Sequence, residues 1–246
     1  MIGTGTLANT GAILVGGCAG AILHNGIPDK YKAIILQGVA LAVGVIGLSG
    51  TMQAMLSLQK DGSLGRSYIM IVIFSLLIGG VCGEFLRLED RLEHLGLWLQ
   101  GRVKGSGGVA EGFVAATLLF CVGAMSIVGS IQDGLTGNAS TLYAKSVLDG
   151  VISVVFASSM GWGVPFAAIP ILLYQGSITL LAGVLRPWLT ASVIAQISAV
   201  GNVLIVGISI NMLFPKKIRI GNLVPAVLVP FFYYLLTLLW KALLFG

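Results

Sequence analysis

Charged residues are scarce in this chain. Asp, Glu, Lys and Arg make up only 9% of its 246 residues, whereas an average soluble domain has about 25%. A soluble fold of this length could not cover its surface with so few charges, so we expect lipid to surround most of it. Lys and Arg exceed Asp and Glu by 14 to 9, but no basic run is interleaved with aromatic residues. The positive excess therefore suits the inner face of a membrane and does not indicate a nucleic acid partner.

Residues that hold metals or perform catalysis are equally few. The three cysteines, Cys18, Cys82 and Cys121, stand alone in apolar runs, and the two histidines, His24 and His94, sit in or near expected loops. The sequence has no C-x-x-C, H-E-x-x-H, G-x-S-x-G or Walker A motif. We therefore expect no metal, no cofactor and no enzymatic activity.

Long apolar runs dominate what is present. Hydrophobic residues make up 57% of the chain, and the mean hydropathy is +0.99. Eight runs approach or reach the roughly 20 residues that cross a bilayer. They are continuous in Leu, Ile, Val and Ala and do not alternate, which argues against a transmembrane β-barrel. The runs lie at about 3–23, 34–57, 67–86, 110–131, 142–161, 165–185, 190–213 and 222–245.

These runs predict an all-α, polytopic membrane protein with seven or eight transmembrane helices in a single domain over residues 1–246. The fifth run begins with polar residues, so seven spans and a re-entrant segment remain an alternative. The loops after spans one, three, five and seven hold nine of the 14 Lys and Arg residues, which predicts that both termini lie outside. No basic residue precedes the first run, so we expect a retained helix and not a cleaved signal.

Segment 86–104 differs from the spans because its leucines form one helical stripe. Leu88, Leu92, Leu95 and Leu99 recur at intervals of three and four residues, while most charged residues lie elsewhere around the helix. This pattern predicts an amphipathic helix lying in the membrane interface. A helix that packs on a partner subunit is the alternative.

Short glycine motifs recur along the chain. "LVGGCAGAIL" (14–23) resembles "LIGGVCGEFL" (77–86), and "AVGVIGLSG" (42–50) resembles "CVGAMSIVG" (121–129) and "AVGNVLIVG" (199–207). The paired motifs keep the same order, which predicts a duplication. Tight helix packing alone also explains glycines at this spacing.

The predicted duplication has repeat-like halves at about 1–60 and 67–135 and a further related segment at 165–246. With eight spans, the second and seventh spans face opposite ways, as in inverted repeats, an architecture found mainly in transporters. The faces rich in small residues also lead us to expect a homo-oligomer.

Several longer stretches resemble a known family. They are "GTLANTGAILVGG" (5–17), "GGVCGEFLRLEDRLEHLG" (79–96), "LLFCVGAMSIVGSIQDGLTGN" (118–138), "AKSVLDG" (144–150) and "IPILLYQGSITLLAG" (169–183). In order and over the whole length, the chain is similar to the YqgA-like family of bacterial integral membrane proteins. The resemblance implies a multi-helix protein of the bacterial inner membrane. It implies no substrate or site, because the function of the family is unknown.

The strongest candidate for chemistry is Asp149, about 10 Å along the fifth span. A carboxylate at this depth costs several kcal/mol, so it should face a partner, water or a bound cation. Lys145 lies one turn earlier on the same face, and a structural ion pair is the simplest interpretation. The functional alternative is that Asp149 binds a cation or proton and that Lys145 gates the site or substitutes for the cation.

Three other polar residues complete the predicted site. Asp133 follows the fourth span, where it reads first as a turn residue, although two carboxylates flanking one connection could bracket an ion path. Gln175 interrupts the sixth span, and Asn202 follows a repeated glycine of the seventh span. Asn9 and other mid-span amides are expected to make interhelical hydrogen bonds.

The leading functional hypothesis is a transporter or channel for a small solute, either a cation or a proton-coupled substrate. The site would lie between helices four to seven, with Asp149 as its principal ligand. The alternative hypothesis is a non-transporting scaffold or regulator whose interfacial helix docks a partner. An intramembrane protease with Asp133 and Asp149 as its two aspartates is disfavoured by the flanking sequences.

Overall fold

A computed structural model shows that the chain is helical almost throughout the residues it describes, as the sequence predicts. These are residues 1–26, 28–58, 64–91, 94, 98, 109–121, 124–214 and 218–245. The α-helices within them are α1 (Thr4–Gly26), α2 (Asp29–Met55), α3 (Ile69–Leu86), α4 (Val109–Cys121), α5 (Ala124–Thr136), α6 (Ser140–Met160), α7 (Gly163–Phe166), α8 (Ala168–Leu180), α9 (Ala182–Leu185), α10 (Ala191–Leu213), α11 (Ile220–Leu223) and α12 (Val229–Phe245). A 3-10 helix over Val224–Leu228 joins α11 to α12.

A short hairpin separates α2 from α3. Strands β1 (Leu56–Leu58) and β2 (Leu64–Arg66) pair antiparallel, with Leu56 opposite Arg66. Just after β2, the Tyr68 hydroxyl lies 3.2 Å from the Ser192 hydroxyl in the first turn of α10. Helices α3 and α10 therefore begin at the same end of the bundle.

The predicted interfacial helix follows α3. Arg87 adopts a left-handed φ of 49° directly after α3, and residues 88–91 are again helical. Residues 94 and 98 are also helical, and the rest of segment 86–104 lies outside the described residues. The position of this helix in the membrane interface stays a prediction.

Seven helical segments in the described part of the chain are long and apolar enough to cross a membrane. They are Thr4–His24, Ala33–Met55, Ile69–Leu86, Ser140–Met160, Gly163–Leu180, Ala191–Leu213 and Ile220–Trp240. Helices α4 and α5 pass the same test when taken together, and they meet at a bend of 60°. This agrees with the seven or eight spans predicted from the sequence.

The contacts of the bent pair show that it also runs from one end of the bundle to the other. At the start of α4, the Val109 carbonyl lies against Gly163, which follows the end of α6. At the end of α5, Asp133 accepts a hydrogen bond of 3.0 Å from the Gly5 amide. Gly5 in turn packs on Leu142 near the start of α6. We therefore count α4 and α5 as one broken crossing. It is the fourth along the chain and brings the number of crossings in the described residues to eight.

Helices α1 and α6 pack side by side and run parallel. Gly16 of α1 lies against the Gly150 carbonyl of α6. Gly20 of α1 lies against the Val154 carbonyl, one turn further along α6. Near the end of both helices, His24 Nδ1 is 3.0 Å from the Ser158 carbonyl oxygen. A side chain at Gly16 or Gly20 would overlap the α6 backbone, so these glycines allow the close approach.

The glycines of the second matching motif have the same role at another contact. Gly79 and Gly83 of α3 lie against the backbones of Ala226 and Asn222. Tight helix packing therefore explains the glycines that the two motifs share. The duplication and its inverted arrangement stay predictions.

The apolar residues separate into a buried core and a lipid-facing exterior. Ile13, Phe120 and Phe156 are buried between the helices, whereas Phe85 and Leu180 are more than 80% exposed. Exposed large apolar side chains along most of the long helices fit a surface that lipid covers.

Candidate functional site

A buried ion pair lies in the middle of α6. Lys145 Nζ is 2.8 Å from Asp149 Oδ2 and donates a hydrogen bond of 3.0 Å to Oδ1. The two side chains are 9% and 6% exposed. They meet because residues four apart in a helix share a face. Asp149 lies nine residues after Ser140, or about 14 Å along the helix, near half the thickness of a bilayer core.

Two amides from other helices extend this pair. Asn9 of α1 donates from Nδ2 to Asp149 Oδ2 at 3.1 Å and also approaches Gln175 Oε1 of α8 at 3.3 Å. Both amide side chains are completely buried. Three helices thus contribute to one polar cluster, which we define as Asn9, Lys145, Asp149 and Gln175.

The cluster connects to the break between α4 and α5. Gln175 Nε2 is 3.4 Å from the Ser126 hydroxyl, which itself donates to the Phe120 carbonyl at 3.1 Å. The Ser126 side chain of α5 thus bonds the last turn of α4 across the bend. A continuous chain of polar contacts therefore runs from Lys145 to the broken helix.

Three buried polar atoms beside this chain have no hydrogen-bond partner within the described residues. They are Asn9 Oδ1, Ser130 Oγ and Ser153 Oγ, and all three residues are completely buried. Ser153 follows Asp149 by one helical turn, and Ser130 follows Ser126 by one turn. Buried polar atoms are normally paired, so these three atoms are exceptions beside the cluster.

Asp133 is completely buried at the end of α5 and binds the start of α1. Its Oδ1 accepts from the Gly3 amide at 3.1 Å, and its Oδ2 accepts from the Gly5 amide at 3.0 Å. The carboxylate therefore anchors the positive end of the α1 dipole. The solvated turn residue that the sequence suggested is thus the wrong interpretation of Asp133.

The contact between α1 and α8 continues from this anchor toward the polar cluster. Thr6 Oγ1 lies 3.2 Å from Thr179 Oγ1, and both residues are buried. Asn9 follows Thr6 by three residues on α1, and Gln175 precedes Thr179 by four on α8. A buried polar stripe thus joins the Asp133 anchor to the Asp149 cluster.

Asn202 lies elsewhere in the bundle. Its Nδ2 donates to the Ser198 carbonyl of its own helix at 2.8 Å, and its side chain packs against Gly50 of α2. Of the five predicted site residues, the structure brings Lys145, Asp149 and Gln175 together. Asp133 lies at the end of the same group of helices, and Asn202 belongs to the contact between α2 and α10.

Sequence reasoning did not place Asn9 or Ser126 in the site. Asn9 was assigned to an interhelical hydrogen bond, which it does make, but its acceptor is the principal carboxylate. The signal that was available is the spacing of Thr6, Asn9 and Ile13 at three and four residues, which puts two polar side chains on the buried face of α1.

A second polar cluster lies at the end of the bundle opposite to Asp133. Glu84, at the end of α3, pairs with Arg219 at 2.6 Å and accepts from Asn222 Nδ2 at 2.6 Å. Both members of the pair are more than half exposed. The hydrogen bond from Glu84 raises the pKa of the Arg219 guanidinium. Its exposure makes this pair a suitable comparison for the buried one.

Comparison with known proteins agrees with a membrane bundle of this kind. The family described as "Protein of unknown function (DUF554)" matches residues 4–235. The chain belongs to this family. The resemblance to YqgA-like proteins is confirmed, because one relative is the "Uncharacterized protein YqgA" of Escherichia coli (strain K12), 29% identical over 92% of this chain and 93% of that one.

Another relative in the DUF554 family is more similar. The "Uncharacterized membrane protein YdfK" of Bacillus subtilis (strain 168) is 34% identical, again over 92% of this chain and 93% of that one. No solved structure matches the chain. The chain is thus a polytopic membrane protein of a family whose members are called uncharacterised.

Proposed function

We propose that this protein is a transporter or channel of the bacterial inner membrane that moves a small cation, or a solute coupled to a cation or proton. The observation that carries the proposal is the buried cluster around Asp149. Charged residues at membrane depth are costly, and where they persist they commonly mark ion or substrate pathways. The proposed activity is transport and not enzymatic turnover.

The broken helix beside the cluster supports the same function. Transporter sites commonly lie near the middle of the bilayer, where discontinuous helices leave backbone groups free to bind ions or substrates. Here the bend between α4 and α5 lies next to Ser126, which contacts Gln175 of the cluster. A polar stripe then leads through Thr6 and Thr179 toward the end of the bundle.

The proposed route uses α1, which the sequence had not included between helices four to seven. Asn9 is the side chain that connects Asp149 to Gln175. A solute at Asp149 would therefore contact the first, fifth and sixth crossings at once. Relative movement of these helices could then open the site to one side of the membrane at a time.

The proposal is tested by ion flux in liposomes that contain the purified protein. Na⁺, K⁺, H⁺ and divalent cations are compared in turn with ion-sensitive dyes, for wild type and for Asp149→Asn. We expect flux in wild type and its loss in the variant. Glu84→Gln is the matched control, because it removes one charge from an exposed ion pair, and it should retain the flux.

Two results would contradict the proposal at different levels. Undiminished flux in a well-folded Asp149→Asn variant would remove Asp149 from the route. Absence of flux with every ion would reject uncoupled ion transport and leave a coupled organic solute to be tested. It would also shift the balance toward the scaffold alternative, in which helix 86–104 docks a partner. Because most of that helix lies outside the described residues, the scaffold alternative stays a prediction.

A further inference from the structure

The structure assigns a binding site for one monovalent metal cation, made of Asp149 carboxylate oxygen, Gln175 Oε1 and Asn9 Oδ1. It also gives Lys145 a role as a tethered competitor, whose ammonium group holds the place of the cation. This inference rests on the proposed function, since it identifies the class of ion and the atoms that bind it.

The three oxygens are arranged around the carboxamide of Asn9. Asn9 Nδ2 lies 3.1 Å from Asp149 Oδ2 and 3.3 Å from Gln175 Oε1, so the two oxygens face a common point. A half-turn of the Asn9 carboxamide exchanges Nδ2 with Oδ1, and the two orientations have nearly the same shape. After that half-turn, Asn9 Oδ1 takes the place of Nδ2 and faces Asp149 Oδ2 and Gln175 Oε1, so three oxygens lie around one point.

The half-turn costs no hydrogen bond at the Oδ1 position of Asn9. This oxygen is buried and has no hydrogen-bond partner within the described residues, so rotation breaks no bond at that end. The two hydrogen bonds lost at Nδ2 are replaced by contacts of the cation with Asp149 and Gln175. Carboxylate and amide carbonyl oxygens are the ligands that hard cations prefer.

The charge of the cluster selects a monovalent ion. The cluster contains one carboxylate and one ammonium group, so its formal charge is zero. If a monovalent cation replaces the ammonium at Asp149, the buried charge at the carboxylate stays balanced. A divalent cation would leave an uncompensated positive charge at membrane depth, which is strongly unfavourable.

Lys145 is placed to leave the site without unfolding the helix. It lies five residues after Ser140, which is about 7 Å from the start of α6. A lysine side chain can extend its ammonium to the membrane surface while its stem remains in apolar surroundings. The ammonium and an incoming cation therefore compete for the same carboxylate, and one must move away when the other binds.

Cation-dependent thermal stability of the purified protein tests this competition directly. Melting curves in mild detergent are compared in NaCl, KCl and LiCl, with choline chloride as the ionic-strength control and MgCl2 as the divalent comparison. For Lys145→Gln we expect saturable stabilisation by at least one alkali cation, with an apparent affinity at least tenfold higher than in wild type. Lys145→Gln combined with Asp149→Asn should fold without a charge in the cluster and lose this response.

Asn9→Ala in the Lys145→Gln background tests the third ligand. It removes one of the three proposed oxygens, so the apparent affinity for the alkali cation should fall at least tenfold. Equal affinity with and without the Asn9 side chain would remove Asn9 from the site. Equal affinity in wild type and Lys145→Gln would overturn the competitor role.

Gln175→Glu provides a second test if Lys145→Gln does not fold. It is nearly isosteric and keeps Lys145, but it adds a second carboxylate to the cluster. We expect an alkali-cation response that is stronger than in wild type and that choline does not reproduce. No such response in a folded variant would overturn the site. In Lys145→Gln, which has a single carboxylate in the cluster, a stronger response to Mg²⁺ than to any alkali cation would overturn the monovalent assignment.

These results separate the inference from the proposed function. Ion flux that depends on Asp149, without any alkali-cation binding in the variants, would leave the transporter in place and reject this site. Alkali-cation binding in a protein that passes no ion would confirm the site and reject uncoupled ion transport.

Discussion

Asn9 Nδ2 lies 3.1 Å from Asp149 Oδ2, although 140 positions separate the two residues in the chain. The contact joins the first crossing to the fifth and orders the polar cluster. Its two partners are both buried, so neither can exchange this hydrogen bond for one to water.

Replacement of Asn9 by Leu should therefore destabilise the protein. The variant keeps a similar volume but removes the Asn9 donor from Asp149 Oδ2 and Gln175 Oε1. Lys145 still donates to Asp149, whereas Gln175 Oε1 loses its donor, and a buried unsatisfied group costs about 1–3 kcal/mol. SDS-induced unfolding in mild detergent measures the change. Gln196→Leu is the control, because Gln196 donates to an exposed hydroxyl of its own helix and should change stability by about 0.5 kcal/mol or less.

The Lys145 and Asp149 pair should show strong coupling in a double-mutant cycle. Lys145→Met or Asp149→Leu alone leaves an unpaired buried charge, which costs about 3–5 kcal/mol, whereas the double variant removes both charges and should recover most of that loss. Unfolding of all four proteins in the same detergent gives the coupling energy. Independent, additive effects would show that the two side chains do not depend on each other.

The same double variant separates structure from function. If the ion pair serves only the fold, the double variant should regain both the stability and any activity that the wild type has. If Asp149 binds a cation, the stable double variant should be inactive in the flux assay.

Gly20→Ala should weaken the contact between α1 and α6. The new methyl group would overlap the Val154 carbonyl and lie 2.9 Å from Ala157 Cβ, and overpacking of this kind typically costs about 1–3 kcal/mol. Gly11→Ala on the same helix is the control, since no atom of the described residues beyond the adjoining backbone of α1 lies within 4 Å of its added methyl group. The control should be neutral or up to about 1 kcal/mol more stable, because alanine favours the helix. Similar losses in both variants would contradict this packing.

Asp133 should control how firmly the first turn of α1 is held. Asp133→Asn keeps one acceptor oxygen for the amides of Gly3 and Gly5, whereas Asp133→Ala keeps none. Loss of such a helix anchor costs about 0.5–2 kcal/mol. Hydrogen exchange of residues 3–6 should therefore increase in the order wild type, Asn, Ala. Unchanged exchange in the Ala variant would show that Asp133 does not anchor α1.

The broken crossing can be tested by labelling single cysteines from either side of the membrane. In a background without Cys18, Cys82 and Cys121, a cysteine at Asn138 should label from the side opposite to one at Gly26. The positive-inside rule predicts that Gly26 is on the cytoplasmic side. Labelling of both positions from the same side would instead make α4 and α5 a re-entrant segment.

Composition and periodicity were sufficient to predict the membrane bundle and the buried ion pair of Lys145 and Asp149. The apolar runs predicted the crossings because a bilayer requires about 20 apolar residues in each. Lys145 and Asp149 could be paired because their contact lies within one helix, where spacing alone decides which side chains meet. Gln175 was chosen because it was expected to interrupt the sixth span. That expectation is wrong, since α8 runs unbroken through it.

Contacts between distant helices could not be predicted in the same way. Asn202 has the same local signals as Gln175, yet packing places it against α2 and not at Asp149. Asp133 looked like a turn residue because its sequence neighbours favour turns, whereas its partners are backbone amides about 130 positions earlier. Such partners depend on how the helices assemble, which a periodic pattern in one helix does not encode.

The parallel packing of α1 on α6 also has a consequence for biosynthesis. His24 and its partner Ser158 are 134 positions apart, so at about 5–20 residues per second the ribosome needs roughly 7–27 s to supply the second after the first. During that time the glycine face of α1, with Asn9 on the same helix, must be in the membrane without its final neighbour. Newly made α1 is therefore expected to depend on lipid, the translocon or a membrane chaperone until the fifth crossing arrives.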